Sequence, residues 1–372
     1  MTIRKVILRE INLPLQSPFV TSHGTITHRR SLIIELMDGD GYTGWGECSA
    51  LEQPGYLPET LDTSLSALQN WLIPALLKHD FFHPNEIQPY FDKSIRGWNF
   101  AKATLEMAVW DLFARQKEIA LAQILGGVQQ KVAAGIVLGI EDDLHRLIEK
   151  AQEAVTKGYK RLKIKIAPGN DYAALQALRR KLGVNFDIAA DANSAYTRAD
   201  LEHLLRFDDL QLSMMEQPFG WDDHFDHAEL QKMLQTPICL DESILSFADC
   251  QTMHAMQSGR IVNLKPGRVG GLTTSLKIHE FCLKRNIPLW CGGMLESGIG
   301  RAFNIALASL PGFTLPGDLS PSARYFERDI VLPEWQMDAQ GFVAVPFDRP
   351  GIGIEVDRDY LTFVTVGEWQ FQ

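Results

Sequence analysis

Hydrophobic positions along this chain change their period twice. Up to about residue 125, strand-like alternation over Lys5–Asn12, Ser31–Met37 and Gly41–Cys48 is broken by turn residues such as Asp38-Gly39-Asp40-Gly41. Helical spacing follows: Leu61, Leu65, Leu68, Leu72 and Leu76 repeat on one face, as do Leu105, Ala108, Val109 and Leu112. Gly126-Gly127 then punctuates the chain. Beyond it, short apolar runs alternate with amphipathic stretches. The runs predict strands near 132–138, 161–166, 187–191, 212–216, 238–241, 261–265 and 288–291, with a last one near 313–316. Asp142–Lys157 typifies the helices between them, with Leu144, Leu147, Ile148, Ala151 and Val155 on one face. About seven or eight such units favour a (β/α) barrel of TIM type over an open sheet, which would also want a glycine-rich phosphate turn after its first strand. No such turn is present. The tail beyond 325 reverts to irregular β-like sequence. The predicted architecture is therefore α/β: a barrel over 126–325, and an α+β capping domain over 1–125 completed by the tail 326–372.

Three of the predicted strands end on a carboxylate, at even spacing. Asp191 closes Asp187-Ile188-Ala189-Ala190, Glu216 closes Leu212-Ser213-Met214-Met215, and Asp241 closes Pro237-Ile238-Cys239-Leu240. Consecutive parallel barrel strands would bring all three to one rim. Three hard oxygen donors at one point describe a magnesium site, and they need countercharges, since like charges that close cannot all ionise unaided. The countercharges are at hand. In Arg161-Leu162-Lys163-Ile164-Lys165-Ile166, strand periodicity puts Lys163 and Lys165 on one face and the apolar residues on the other. An isolated pattern of this kind would read as an edge strand guarded against pairing. On the second strand of a barrel its lysines point instead into the lumen. Lys265 ends the sixth strand before Pro266-Gly267, across the barrel from Lys165. The two ammonium groups would face a bound substrate from opposite sides.

Composition narrows the partners. Hydrophobic content of 45% and charged content of 22% are ordinary for a globular protein. A net charge of −10 argues against a nucleic-acid partner. No apolar run approaches a membrane span, and charges occupy Met1–Val6, where a signal peptide needs its apolar core. The five scattered cysteines form neither a disulfide framework nor a zinc motif. The expectation is a cytoplasmic homo-oligomer acting on a small-molecule carboxylate, with no nucleic-acid or membrane partner.

With Lys163-Ile164-Lys165, Asp191-Ala192-Asn193, Glu216-Gln217-Pro218, Asp241-Glu242-Ser243 and Lys265-Pro266-Gly267-Arg268-Val269-Gly270-Gly271 in place, the chain resembles the enolase superfamily, within its muconate-lactonizing subgroup. The match runs on through Trp290–Arg301 to Leu315-Pro316-Gly317-Asp318, and Ala103–Asp111 resembles the helix that precedes the barrel in these enzymes. The branch it is most similar to holds o-succinylbenzoate synthases and N-succinylamino acid racemases.

The resemblance implies an enolase-like modified barrel and abstraction of a proton alpha to a carboxylate. It implies magnesium (manganese as a substitute) on Asp191, Glu216 and Asp241, with Lys165 as base, Lys163 as its electrostatic neighbour, and Lys265 opposite, paired with Glu242. Pairing of a lysine base with magnesium in this superfamily is a known pattern. Burial beside a divalent cation and a second lysine would push the base's pKa down. The expected reaction is the syn-dehydration of o-succinylbenzoate synthesis in menaquinone biosynthesis, with racemisation of N-succinylamino acids as the alternative and Arg268 as a feature of the racemase-bearing branch. A mandelate-racemase role would need a histidine where Leu289-Trp290-Cys291-Gly292 stands, and a dipeptide epimerase an Asp-x-Asp where Asp318-Leu319-Ser320 stands.

Two loops of the capping domain, Ser17–Thr25 and Ala50–Tyr56, are expected to close the barrel mouth. Phe19 and Tyr56 would then be apolar walls, and Asn193, Arg268, Gly293, Met294 and Glu296 further substrate contacts. Several other residues read as scaffold. His224 and His227 suggest a solvated helix start, since no third ligand lies near in sequence. Glu106 and Asp111 suggest caps or inter-domain bonds, and Met253 and Met256 packing positions.

Overall fold

The computed structural model describes residues 1–21 and 24–372; of residues 19–24 the side chains also lie outside the description, including that of Phe19. The first strand, Ile3–Thr21, pairs antiparallel with Gly24–Asp38, which pairs in turn with Thr43–Cys48. The expected loop Ser17–Thr25 is thus mostly the end of a long hairpin. The pairing accommodates Pro14 and Pro18 in a register shift between Pro14 and Phe19. The tail returns to this sheet: Thr365–Phe371 pairs with the first strand, Val6 opposite Phe371.

One long helix, Asn99–Gln116, lies between this sheet and the barrel and is buried nearly all round. That explains its lack of a polar face. Glu59 accepts from the backbone N–H groups of Phe100 and Ala101 (both 2.9 Å), supplying the cap that Trp98 at the N-cap position does not. The strand Thr43–Cys48 sits directly on this helix. A Cβ on Gly44 would lie 2.3 Å from the Ala108 carbonyl oxygen, and one on Gly46 2.2 Å from that of Thr104.

The barrel is built from Gly135–Leu138, Arg161–Lys165, Asp187–Asp191, Met215–Glu216, Ile238–Leu240, Ile261–Leu264 and Leu289–Cys291, parallel and in sequence order. The segment 313–317 closes it, bridging Phe313 to Leu289 on one side and Gly317 to Ala134 on the other. The expected first strand at 132–138 divides in two. Lys131–Ala133 pairs outside the barrel with Phe342–Ala344, and only Gly135–Leu138 enters it.

Under the mouth, Ala189, Met214, Cys239, Ile261 and Trp290 fill the lumen. The small side chains at 189 and 239 leave room for the Trp290 indole, whose N–H donates to Cys239 Sγ at 3.3 Å. Apolar side chains on the outer face of the strands pack against the helices in one large cluster. No helix among the described residues is long and apolar enough to cross a membrane.

Gly46→Ala is expected to lower the unfolding free energy by about 2–3 kcal/mol, because strand and helix backbones must separate. Denaturant titration checks it, and an unchanged midpoint would contradict the close approach.

Candidate active site

Strand register sets the site. Lys165 pairs with Asp191, and Asp191 with Glu216, so a lysine and two carboxylates stand at one level on adjacent strands. Asp241 follows the fifth strand and Lys265 the sixth. All five side chains are buried. Lys163 lies 2.7 Å from Asp318 Oδ2, 3.0 Å from Glu216 Oε2 and 3.1 Å from Asp191 Oδ2, with the Trp290 ring 4.8 Å away. Lys165 donates to Asp191 Oδ2 at 2.7 Å and to Asn193 Oδ1. Lys265 donates to Asp241 Oδ2 at 2.8 Å and to the Tyr56 hydroxyl at 3.0 Å. Arg268, fully buried, reaches the other oxygen of Asp241 and the Tyr56 hydroxyl.

These pairings control the charges. Burial pushes Lys163 towards neutrality, but Asp318, Glu216 and Asp191 outweigh it and raise its pKa above the ordinary lysine value. Lys265 is raised in the same way, by Tyr56, Glu216 and Glu242 against burial. The downward push expected for a buried lysine is therefore reversed at these two positions by the acids around them. Burial also opposes Asp191, yet Lys165 and Lys163 hold its pKa below the carboxylate range. Glu216 shifts upward from burial and from Asp191, and Glu242 is pushed up to about 7 by the same two causes.

Among the described residues, no three His, Cys, Asp or Glu side chains close into a cage for a cation, because basic side chains occupy the acids. The donor chemistry nonetheless fits a hard divalent ion: three buried carboxylates end consecutive strands. Glu216 Oε2, close to the Lys163 ammonium but out of line with it, accepts no hydrogen bond.

Above these groups opens a cavity of about 550 Å3, bordered by Lys163, Lys165, Asn193 and Lys265 from the barrel and by Tyr56 and Arg29 from the capping domain. Gly293 and Met294 border it; Glu296 does not, and its Oε1 accepts from Asn304 at 3.0 Å. Arg268 stands behind the wall, and Glu242 bonds Asn193 at 2.8 Å where a pairing with Lys265 was expected. The Phe19 side chain lies outside the described residues.

The N-terminal domain model of mandelate racemase and muconate lactonizing enzyme matches residues 3–126, and the enolase C-terminal domain-like model matches 146–360. The chain belongs to the enolase superfamily. It is 45% identical to an o-succinylbenzoate synthase of Bacillus subtilis, over 96% of this chain and 95% of that one. It is 40% identical to an N-succinylamino acid racemase of Amycolatopsis, over 99% of each. A crystal structure of an enolase superfamily member from Listeria innocua superposes with a TM-score of 0.96 at 41% identity, covering 100% of this chain and 99% of that one.

Sequence reasoning missed several groups that shape this superfamily site. Asp318 figured as the end of the family match and as the place where an Asp-x-Asp motif is absent, but it is also the nearest acid to Lys163. Arg161, stacked 4.1 Å over Trp290, also approaches Asp318. The position of Asp318 at the end of the closing strand segment was the available signal. Glu47 was not singled out either. It accepts from Ser297 N, Ser297 Oγ and Gly300 N, capping the barrel helix Gly298–Ala308 from the other domain. Glu106 does the same for Leu272 and Thr273 at the start of Leu272–Leu283, and Asp111 accepts from Trp45 and Ile352. Glu106 thus makes the inter-domain bonds expected of it, whereas Asp111 ties the capping sheet to the C-terminal tail.

His227 is not solvated, as its sequence context suggested, but buried beneath the turn that follows Glu216. Its Nε2 accepts from Phe219 N at 3.1 Å, and its Nδ1 donates to the Asp223 carbonyl oxygen at 2.6 Å. This pairing requires the neutral ring, and burial lowers its pKa to about 4. A base depressed in the folded state adds stability that is present above its unfolded value of about 6.5 and lost as pH falls through about 4. The unfolding free energy is therefore expected to decline on acidification across that window, and this portion of the decline to vanish in His227→Gln. An NMR titration showing His227 protonated at about pH 5.5 would contradict this.

Proposed function

We propose that the chain catalyses o-succinylbenzoate synthesis, the dehydration of 2-succinyl-6-hydroxy-2,4-cyclohexadiene-1-carboxylate in menaquinone biosynthesis. The observation that carries the reading is the placement of Lys165 at the end of strand two and Lys265 just after strand six, both bordering one cavity beside buried acids. The synthases of Bacillus, Geobacillus, Enterococcus and Listeria, at 42–45% identity over at least 96% of this chain, favour this substrate.

Asp191, Glu216 and Asp241 would hold a magnesium ion, which supplies positive charge at the substrate carboxylate where electrons accumulate as the proton leaves. Lys163 would keep Asp318, at 2.7 Å, as its acid partner with the ion on Asp191 and Glu216, and serves as a positive charge. That leaves Lys165, which has fewer acid partners, as the base. It takes the proton from ring carbon 1 and returns a proton to the departing hydroxyl on carbon 6. One C–H and one C–O bond break, one C=C bond forms, and water leaves as the ring becomes aromatic. Lys265, held by Asp241 and Tyr56, faces the anion from the other side. Racemisation of N-succinylamino acids is the second reading. It needs both lysines to exchange protons in turn, and the Amycolatopsis and Thermus relatives favour it.

Assay of the purified protein with the cyclohexadiene substrate and with N-succinylphenylalanine tests both readings. Dehydration that chelation of the metal abolishes is expected, and racemisation without dehydration would overturn the assignment. Lys165→Ala should lower either activity by about three orders of magnitude. Lys265→Arg, which keeps the charge but makes a poor base, should damage racemisation at least as much as dehydration; undiminished racemisation would refute the two-base arrangement.

A further inference from the structure

Arg29 lies on the capping strand Gly24–Asp38, opposite Leu13, and borders the same cavity as the three lysines. Its side chain is only 2% exposed. Nη1 donates to the Ala50 carbonyl oxygen at 2.9 Å, whereas among the described residues Nε and Nη2 have no partner. Leaving buried donors unpaired is costly, about 1–3 kcal/mol each and more on a charged group. The two free donors share one edge of the guanidinium plane, the fork that takes a carboxylate through two parallel N–H···O bonds.

The nearby acids do not fill this edge. Glu47 is occupied by Ser31 Oγ, Ser297 N and Oγ, and Gly300 N, and Glu296 Oε1 by Asn304. Both lie close enough to oppose the burial of the Arg29 charge without bonding it, but burial outweighs them. In the proposed reaction the reacting carboxylate lies on the barrel side of the cavity, among the lysines. An anion at Arg29 is therefore a second one, presented by the same ligand from its far end.

We propose that the Nε–Nη2 edge of Arg29 seats the distal carboxylate of a dicarboxylate substrate, making it a specificity residue contributed by the capping domain. The inference rests on the proposed succinyl-bearing substrates, of which both the synthase and the racemase readings supply one. The Ala50 carbonyl held by Arg29 also begins the loop that carries Tyr56 to Lys265.

Calorimetric titration of the magnesium-loaded protein with o-succinylbenzoate, and with 2-butanoylbenzoate, which lacks the distal carboxylate, reads the seat without turnover. Wild type is expected to bind the succinyl compound roughly tenfold or more tightly, and Arg29→Gln to bind both within about twofold. Arg29→Lys, which keeps the charge but not the fork, should fall between. A Gln variant that retains the preference overturns the proposal. So does one that weakens both ligands equally, the mark of a role confined to holding Ala50. Should Arg29→Gln fail to fold, the Lys variant decides: an undiminished preference there overturns the bidentate seat. A protein that turns over neither assay substrate yet shows the Arg29-dependent preference keeps the seat and loses the proposed reaction. A wild type without preference loses the seat whatever it turns over.

Discussion

Mutual neutralisation of buried charge is the constraint on which this molecule depends. Asp191, Glu216, Asp241, Glu242 and Asp318 are withdrawn from water at one rim, and Arg161, Lys163, Lys165, Lys265 and Arg268 are withdrawn with them. Either set alone would be prohibitive to bury, and removal of one member strands its partner. Strand register accomplishes the pairing: Lys165, Asp191 and Glu216 stand side by side because their strands are in parallel register. The barrel below is correspondingly apolar and tightly filled, with Trp290 closing the lumen beneath the charged layer.

A balanced cluster is also chemically poised. A divalent cation arriving on the acids would loosen their hold on the lysines, and a substrate carboxylate would restore the balance. The capping domain takes part in this arrangement. Tyr56 touches Lys265, Arg268 and Asp241 at once, while Glu47 and Glu106 cap barrel helices from across the domain boundary. The buried cluster and the helix caps around it therefore draw on residues from both parts of the chain.

Much of this was legible in the sequence, for a physical reason. Strand ends are marked by a switch from apolar run to polar residue, so Asp191, Glu216, Asp241, Lys165 and Lys265 announce themselves locally. Alternation within a strand likewise exposes Lys163. Glu296 misled because a loop residue carries no periodic signal, and its bond to Asn304 depends on the following helix. Asp318, Arg161 and Arg29 owe their surroundings to contacts distant in sequence, which no local pattern encodes. The His227 pattern is that of an exposed helix start, and only the turn packed over it makes the ring a buried acceptor.

The most direct test is a crystal structure of the protein with magnesium and o-succinylbenzoate. Expected are a cation on Asp191, Glu216 and Asp241, the aryl carboxylate on that cation, and the reacting ring carbon between the Lys165 and Lys265 nitrogens at about 3–4 Å. A product lying elsewhere in the cavity, or a ring approached by only one of the two lysines, would contradict it.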